Sequence, residues 1–195
     1  MSCTPSKWET ETTEGLITEI AQMISSSDVS NFDAAEFCKA NDCSGMSPGQ
    51  LAWCAHHFDL CPKVFDAAAA ARTASTDIIK DDDPDRVAKR NAVRHALWVA
   101  LMISAYGISE RDALLITTAH EMDDRRKEGS WGSPDNKIDL HNNFIGGQVG
   151  RAVQRQKESD PSVSAYNQAV DFVYILVLNS TNCPVCLNLK GGTYG

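Results

Sequence analysis

Three short stretches carry chemistry-bearing side chains at helical spacing. In Arg90 to Trp98 (RNAVRHALW), Asn91, Arg94, His95 and Trp98 fall three or four residues apart, on one side of a helix. In the second stretch, Thr117, His120, Glu121 and Asp124 share a side after the apolar run Ala113 to Ile116. Asp139, Asn142, Asn143 and Gly146 repeat the pattern in a third. Polar and charged groups on packed faces cost several kcal/mol each unless they find partners, so the three stripes are expected to meet.

A meeting of His95, His120, Glu121 and Asp139 would offer two nitrogen and two oxygen donors. That set suits zinc, manganese or iron with one position open to water. The chemistry that follows is hydrolysis: the ion lowers the pKa of its water and Glu121 or another carboxylate takes the proton, while the planar fork of Arg94 holds an anionic substrate group or transition state. A metal-free site is the alternative, with His120 as general base oriented by Glu121 or Asp139 and with Asn142 and Asn143 donating to an oxyanion. Blander roles compete at two positions. Glu121 could pair with Arg94 or Arg125, and Asp139 could cap the third helix. The pair Asn142-Asn143 has poor helix propensity and argues for a polar network. Gly146-Gly147 argues for close approach of another helix or a ligand. His56, His57 and His141 read as ordinary core or surface histidines, and Trp98 as core.

The elements that must position these residues read as helices, because spacings of three and four recur and strand-type alternation is absent. Leu16, Ile17, Ile20, Ala21 and Ile24 form one stripe, ended by Ser25 to Asp28. Ser47, Pro48 and Gln50 make an N-cap, a first-turn proline and a capping box for a segment through Trp53 and Phe58. Pro62 opens the next helix, which contains Ala67 to Ala71 and fades before Lys80. The acidic segment Asp81 to Asp85 is a turn. Val87 to Tyr106 is helical and Gly107 stops it. Ser109 and Asp112 form a second capping box, for a helix to about Asp124. The stretch 125–137, with Trp131 between Gly129 and Gly132, reads as a loop able to cover the site as a lid. Another helix is expected over 139–156. A last one starts at Pro161; its Val170, Phe172, Val173, Ile175, Leu176 and Val177 make it apolar nearly all round, as a buried central helix would be. The expected fold is an all-α orthogonal multi-helix bundle. It forms one compact domain, with a cysteine-bearing half (1–80) and a half that holds the polar stripes (81–195).

The composition agrees. The chain has 195 residues, 43% hydrophobic and 23% charged, which is enough to build a core without a metal or disulfide. Its net charge of −8 and lack of a basic block make nucleic acid a disfavoured partner. Of seven cysteines, Cys38, Cys43, Cys54 and Cys61 crowd one stretch, and Cys183 and Cys186 form a CxxC pair near the C-terminus. The spacing suits neither a zinc knuckle nor a redox helix start, which leaves structural disulfides in an extracytoplasmic setting as the expectation and buried cysteines acting as small apolar residues as the alternative. No apolar run has the length of a signal peptide near the N-terminus, and none reaches the roughly 20 residues of a membrane span.

The series Arg94-His95-Ala96-Leu97-Trp98, His120-Glu121, then Asp139-Leu140-His141-Asn142-Asn143 with Gly146 resembles an uncharacterised helical domain of secreted and toxin-like bacterial proteins. The resemblance covers about residues 85–155 and implies export and an effector or antagonistic role. His95 and His120 also show a weaker similarity to HD-type metal phosphohydrolases, which implies metal ligation by those two histidines. Glu121 departs from the His-Asp pair of that family, and Asp139 falls earlier than its final aspartate. The reading that follows is a secreted or effector-like hydrolase, metal-assisted, acting on a phosphoester, lipid or cell-envelope bond. Its substrate would be a small molecule or envelope-derived, and its partner an immunity or target protein. The competing reading is a non-enzymatic binding module whose His/Glu/Asp/Asn network is structural.

Overall fold

The computed structural model describes residues 7–26, 34–40, 46–128 and 134–179. Eight helices occur among the described residues, and no strand. They are α1 (Lys7–Ser25), α2 (Ala34–Ala40), α3 (Pro48–His56), α4 (Cys61–Ile78), α5 (Arg86–Ser104), α6 (Glu110–Glu128), α7 (Pro134–Ser159) and α8 (Ala165–Asn179). Helix α5 is the centre: α4, α6, α7 and α8 all pack against it. Every residue from His95 to Ser104 is buried. The sequence explains this, since Ala96 to Ile103 is an unbroken apolar run that no single amphipathic stripe could hide.

The tightest packing is between α5 and α7. A Cβ on Gly146 would lie 2.3 Å from the Ala96 carbonyl oxygen, and one on Gly150 would lie 2.9 Å from Ile103 and 3.1 Å from the Ala100 carbonyl oxygen. Two glycines one turn apart therefore face two alanines one turn apart, and the backbones approach to a distance no side chain would allow. The facing pairs ascend together in sequence, so the two helices run in the same direction.

Helix ends follow local chemistry. Ser47 and Gln50 form the expected reciprocal capping box of α3, and the Ser47 hydroxyl also donates to the Ala119 carbonyl oxygen of α6 at 2.7 Å. Ser109 accepts from the Asp112 amide at 3.1 Å. Gly107 adopts φ +69°, the left-handed conformation that ends α5. In the acidic turn, Asp83 holds Lys89 at 2.8 Å and Arg90 reaches the Ile79 carbonyl and Asp81. A disulfide joins Cys54 at the end of α3 to Cys61 at the start of α4, both fully buried. Cys43, Cys183 and Cys186 lie outside the described residues.

Several expected boundaries are corrected. Helix α6 runs to Glu128 and α7 begins at Pro134, so most of the loop expected over 125–137 is helical. Only 129–133, which include Trp131, remain between the two helices, and they lie outside the described residues. The segment through Phe58 stops at His56, and Phe58 sits 68% exposed in the following turn. The last helix starts at Ala165, after a turn at 161–164, and is one-sided. Its Ala169, Val173 and Leu176 are buried, but Tyr174 and Ile175 are exposed. The expected all-round burial belongs to α5 instead, while α8 packs mainly on α5 and α7 among the described residues. Helices α1 and α3 sit on α6 while α4 sits on α5, so the N-terminal and C-terminal halves share one core.

Two stability predictions follow from this packing. Gly146→Ala forces a Cβ into backbone and should cost about 1–3 kcal/mol, lowering the midpoint of thermal unfolding by roughly 2–12 °C. Gly15→Ala, in α1 with nothing within 4 Å, should instead gain about 0.5–1 kcal/mol. Circular dichroism melts of both variants test the contrast. The double variant Cys54→Ala/Cys61→Ala should lose about 2–3 kcal/mol, because its unfolded chain regains the freedom of the closed loop; urea unfolding measures this.

Candidate metal centre

The close crossing of α5 and α7 lays Asn91 and His95 beside Asp139 and Asn143. The Asn91 amide donates to Asp139 Oδ1 at 2.7 Å, and His95 Nδ1 lies 3.2 Å from Asn143 Oδ1. Both pairs are 48 residues apart in sequence, as parallel helices in fixed register require. Helix α6 adds Glu121 from a third direction. It is fully buried, with Oε1 3.5 Å from His95 Nδ1, while Asp139 Oδ2 is 3.6 Å from His95 Nε2. Asn136, on the first turns of α7, donates to the Glu121 backbone carbonyl at 3.3 Å and ties α6 to α7 at this level.

One ligand atom each from His95, Glu121 and Asp139 lies within 4.8 Å of the others, and all three residues are buried. Two carboxylates and an imidazole from three helices fit a hard or borderline divalent ion, such as zinc, manganese or iron. The expected convergence of the three polar stripes is therefore present.

His120 takes a different place from the one expected. Its ring centroid lies 6.1 Å from that of His95 and 5.6 Å from that of Trp98, edge-on to the indole, and it stands outside the three-residue donor group. It is half-buried where His95 is buried, so it belongs to the wall of the site. Trp98 is core, as expected, with its N–H donated to the Val64 carbonyl oxygen at 3.1 Å. Half-buried Arg94 donates to Asn91 Oδ1, so its guanidinium is joined to Asp139 through one amide. Asp139 is not an N-cap, because α7 begins five residues earlier. Asn142 and Asn143 are buried, and Asn143 contacts the histidine directly. Thr117 bonds back to its own helix at Ala113.

Sequence reasoning placed Asn91 on the polar stripe but gave it no role, and it missed Asn136 because that residue seemed to lie in a loop. It also missed a second polar contact on α7. His141 Nδ1 lies 3.1 Å from Glu9 Oε1 of α1, and Trp8 packs edge-on against Phe144 with centroids 5.2 Å apart. Glu9 is buried although it sits in the first turn of an end helix, a signal visible only once α1 is docked.

Residues 51–171 match the family model described as Domain of unknown function (DUF6973). The chain belongs to that family. The matched span runs from α3 into α8 and includes every residue of the candidate centre. No curated protein and no solved structure matches the chain. The DUF6973 span thus excludes α1, whose contact with it through Glu9 and His141 can be cut separately. His141→Ala should lower stability by about 1–2 kcal/mol, a partly exposed charged hydrogen bond's share. Metal content should stay unchanged, as judged by thermal melts beside elemental analysis.

Proposed function

We propose that the domain is a metal-assisted hydrolase whose ion is held by His95, Glu121 and Asp139, and that it acts on a phosphoester, lipid or cell-envelope bond. The observation that carries this reading is the convergence of three donors from α5, α6 and α7 within 4.8 Å, in the buried core of the family-matched span. Core positions are normally apolar, and burying two carboxylates beside an imidazole is costly without a cation or shared protons. Active sites are where such cost is retained.

A bound divalent ion would supply Lewis acidity and an activated water. The chain's own residues do the rest. Arg94, half-buried and one amide away from Asp139, is suited to an anionic group through its planar fork, which favours the phosphoester among the three bond classes. His120, half-buried against Trp98, is suited to move a proton to or from the reacting oxygen. The buried Asn142 and Asn143 keep the neighbourhood polar without adding charge.

The buried Cys54–Cys61 disulfide is compatible with an extracytoplasmic protein, and no helix among the described residues is long and apolar enough to cross a membrane. We take the setting to be secreted or effector-like, with an immunity or target protein as partner. The alternative, a binding module with a structural polar network, is favoured by one feature: Asn91, Asn136 and Asn143 each hydrogen-bond another member of the cluster or its backbone.

Elemental analysis separates the two. Wild-type protein is expected to hold close to one zinc, manganese or iron per chain, lost in folded His95→Ala and Asp139→Ala but retained in His120→Ala. With an activated aryl phosphodiester as substrate, His120→Ala should lower turnover by about 10²–10⁴-fold, the usual span of acid–base catalysis. Metal-free wild type, with alanine variants that lose stability and binding in proportion, would leave the module as the correct reading.

A further inference from the structure

Lys89, Arg90, Arg94 and Arg151 are the half-buried cations among the described residues. Lys89 pairs with Asp83, Arg90 with Asp81 and Arg151 with Glu110. Arg94 alone of these holds no carboxylate among the described residues. Its guanidinium donates to the side-chain oxygen of Asn91, which leaves its charge and most of its N–H donors unanswered. A second group close by makes a similar demand. Asn143 is buried, its Oδ1 lies 3.2 Å from His95 Nδ1, and its Nδ2 has no acceptor among the described residues. Buried donors are nearly always paired, so an orphaned one marks the place of a further partner. Both groups border the His95, Glu121, Asp139 cluster: Asn143 beside the imidazole, and Arg94 through Asn91, whose amide donates to Asp139 Oδ1 at 2.7 Å. Side-chain exposure rises across that cluster from 0% at Glu121 and 4% at His95 to 12% at Asp139. A ligand therefore reaches it from the Asp139 side, past half-buried Asn91 and Arg94.

From these two unanswered groups, and resting on the metal-centre reading above, we infer that the centre selects a singly charged phosphodiester. Arg94 sets that specificity, and the Asn143 amide is a further donor to the phosphoryl oxygens. Charge balance decides between the phosphoester classes. The carboxylates of Glu121 and Asp139 cancel a divalent ion, and Arg94 then carries the one charge left over. A phosphodiester brings a single negative charge and cancels it. A phosphomonoester brings about −1.5 to −2 at neutral pH, which leaves excess negative charge in a poorly solvated group. A neutral ester leaves Arg94 as unanswered as before. Burial of an unbalanced charge penalises both of those ligands. Hydrolysis of the diester breaks one P–O ester bond and adds water across it, giving an alcohol and a monoester. The second charge on that monoester favours its release.

The test is calorimetric binding of three probes to the full chain loaded with zinc(II), in mildly alkaline buffer. Methylphenylphosphinate carries one negative charge, phenylphosphonate two and dimethylphenylphosphine oxide none. None has a P–O ester bond to hydrolyse, so binding alone is read. The phosphinate is expected to bind at least about tenfold more tightly than either of the others. Arg94→Met should weaken phosphinate binding about 10–100-fold while keeping its zinc and leaving the phosphine oxide little changed. Arg94→Lys, which restores the charge without the planar fork, should recover part of the loss. Asn143→Leu should weaken all three probes about 5–10-fold, since each presents a phosphoryl oxygen. Phosphonate bound as tightly as phosphinate, no phosphinate binding to the zinc-loaded chain, or an Arg94→Met chain that weakens all three probes equally overturns the inference and leaves the metal centre intact. A wild type that takes up no zinc overturns the metal-centre reading and the charge balance with it. The wild-type comparison decides the question even if no variant folds.

Discussion

Everything in the candidate centre depends on how closely α5 and α7 approach. Gly146 and Gly150 on α7 face Ala96 and Ala100 on α5, and the contact is backbone to backbone. Small residues one turn apart on both helices fix the register as well as the distance, because sliding by a residue would drive a side chain into a carbonyl. Register then does the chemical work. The parallel register that seats Gly146 against Ala96 and Gly150 against Ala100 also seats Asp139 against Asn91 and Asn143 against His95, on the N-terminal side of the glycine contacts. The apolar part of the interface acts as a rigid frame for the polar part.

The frame explains how the protein tolerates a fully buried glutamate. Isolated carboxylates are excluded from cores by desolvation, and a cluster of three ionisable groups survives there only if its members balance one another. Glu121 and Asp139 flank one imidazole, and the amides of Asn91, Asn136 and Asn143 tie that trio to its own helices. Apart from Glu121 the members are short side chains, so ordering most of the network costs little rotamer freedom. A site so preorganised has short residues directly at its centre and longer ones, Arg94 and His120, at its edge. That division is what a centre needs when it must hold its shape and still admit a ligand.

The N-terminal helices act at one remove. Helix α3 is anchored to α6 by the Ser47 hydroxyl. Helix α4 accepts the Trp98 indole at Val64, and the indole in turn carries the edge of His120. The Cys54–Cys61 link covers the short connection between α3 and α4. The cysteine-bearing half therefore buttresses the back of the site, and α1 closes the side of α7 through Glu9–His141 and Trp8–Phe144.

Much of this was legible in the sequence, for a local reason: helical periodicity, caps and stops are written within a few residues of where they act. The capping box at Ser47, the Ser109 hydroxyl accepting the Asp112 amide, the stop at Gly107 and the polar stripes on three successive helices needed no tertiary information. That the stripes meet followed from the cost of leaving them unmet. What the sequence left open were the quantities set by neighbours distant in the chain. Residues 134–137 are helical although their composition is that of a loop, because Asn136 gains a partner on α6. Helix α8 looked central but is one-sided, since among the described residues it packs mainly on α5 and α7, while α5 is enclosed by four helices. His120 and His95 were alike as letters on apolar helices. Only the packing placed one imidazole between two carboxylates and turned the other against Trp98, because which face of α6 meets α5 is fixed by shape complementarity between helices and not by spacing along either of them.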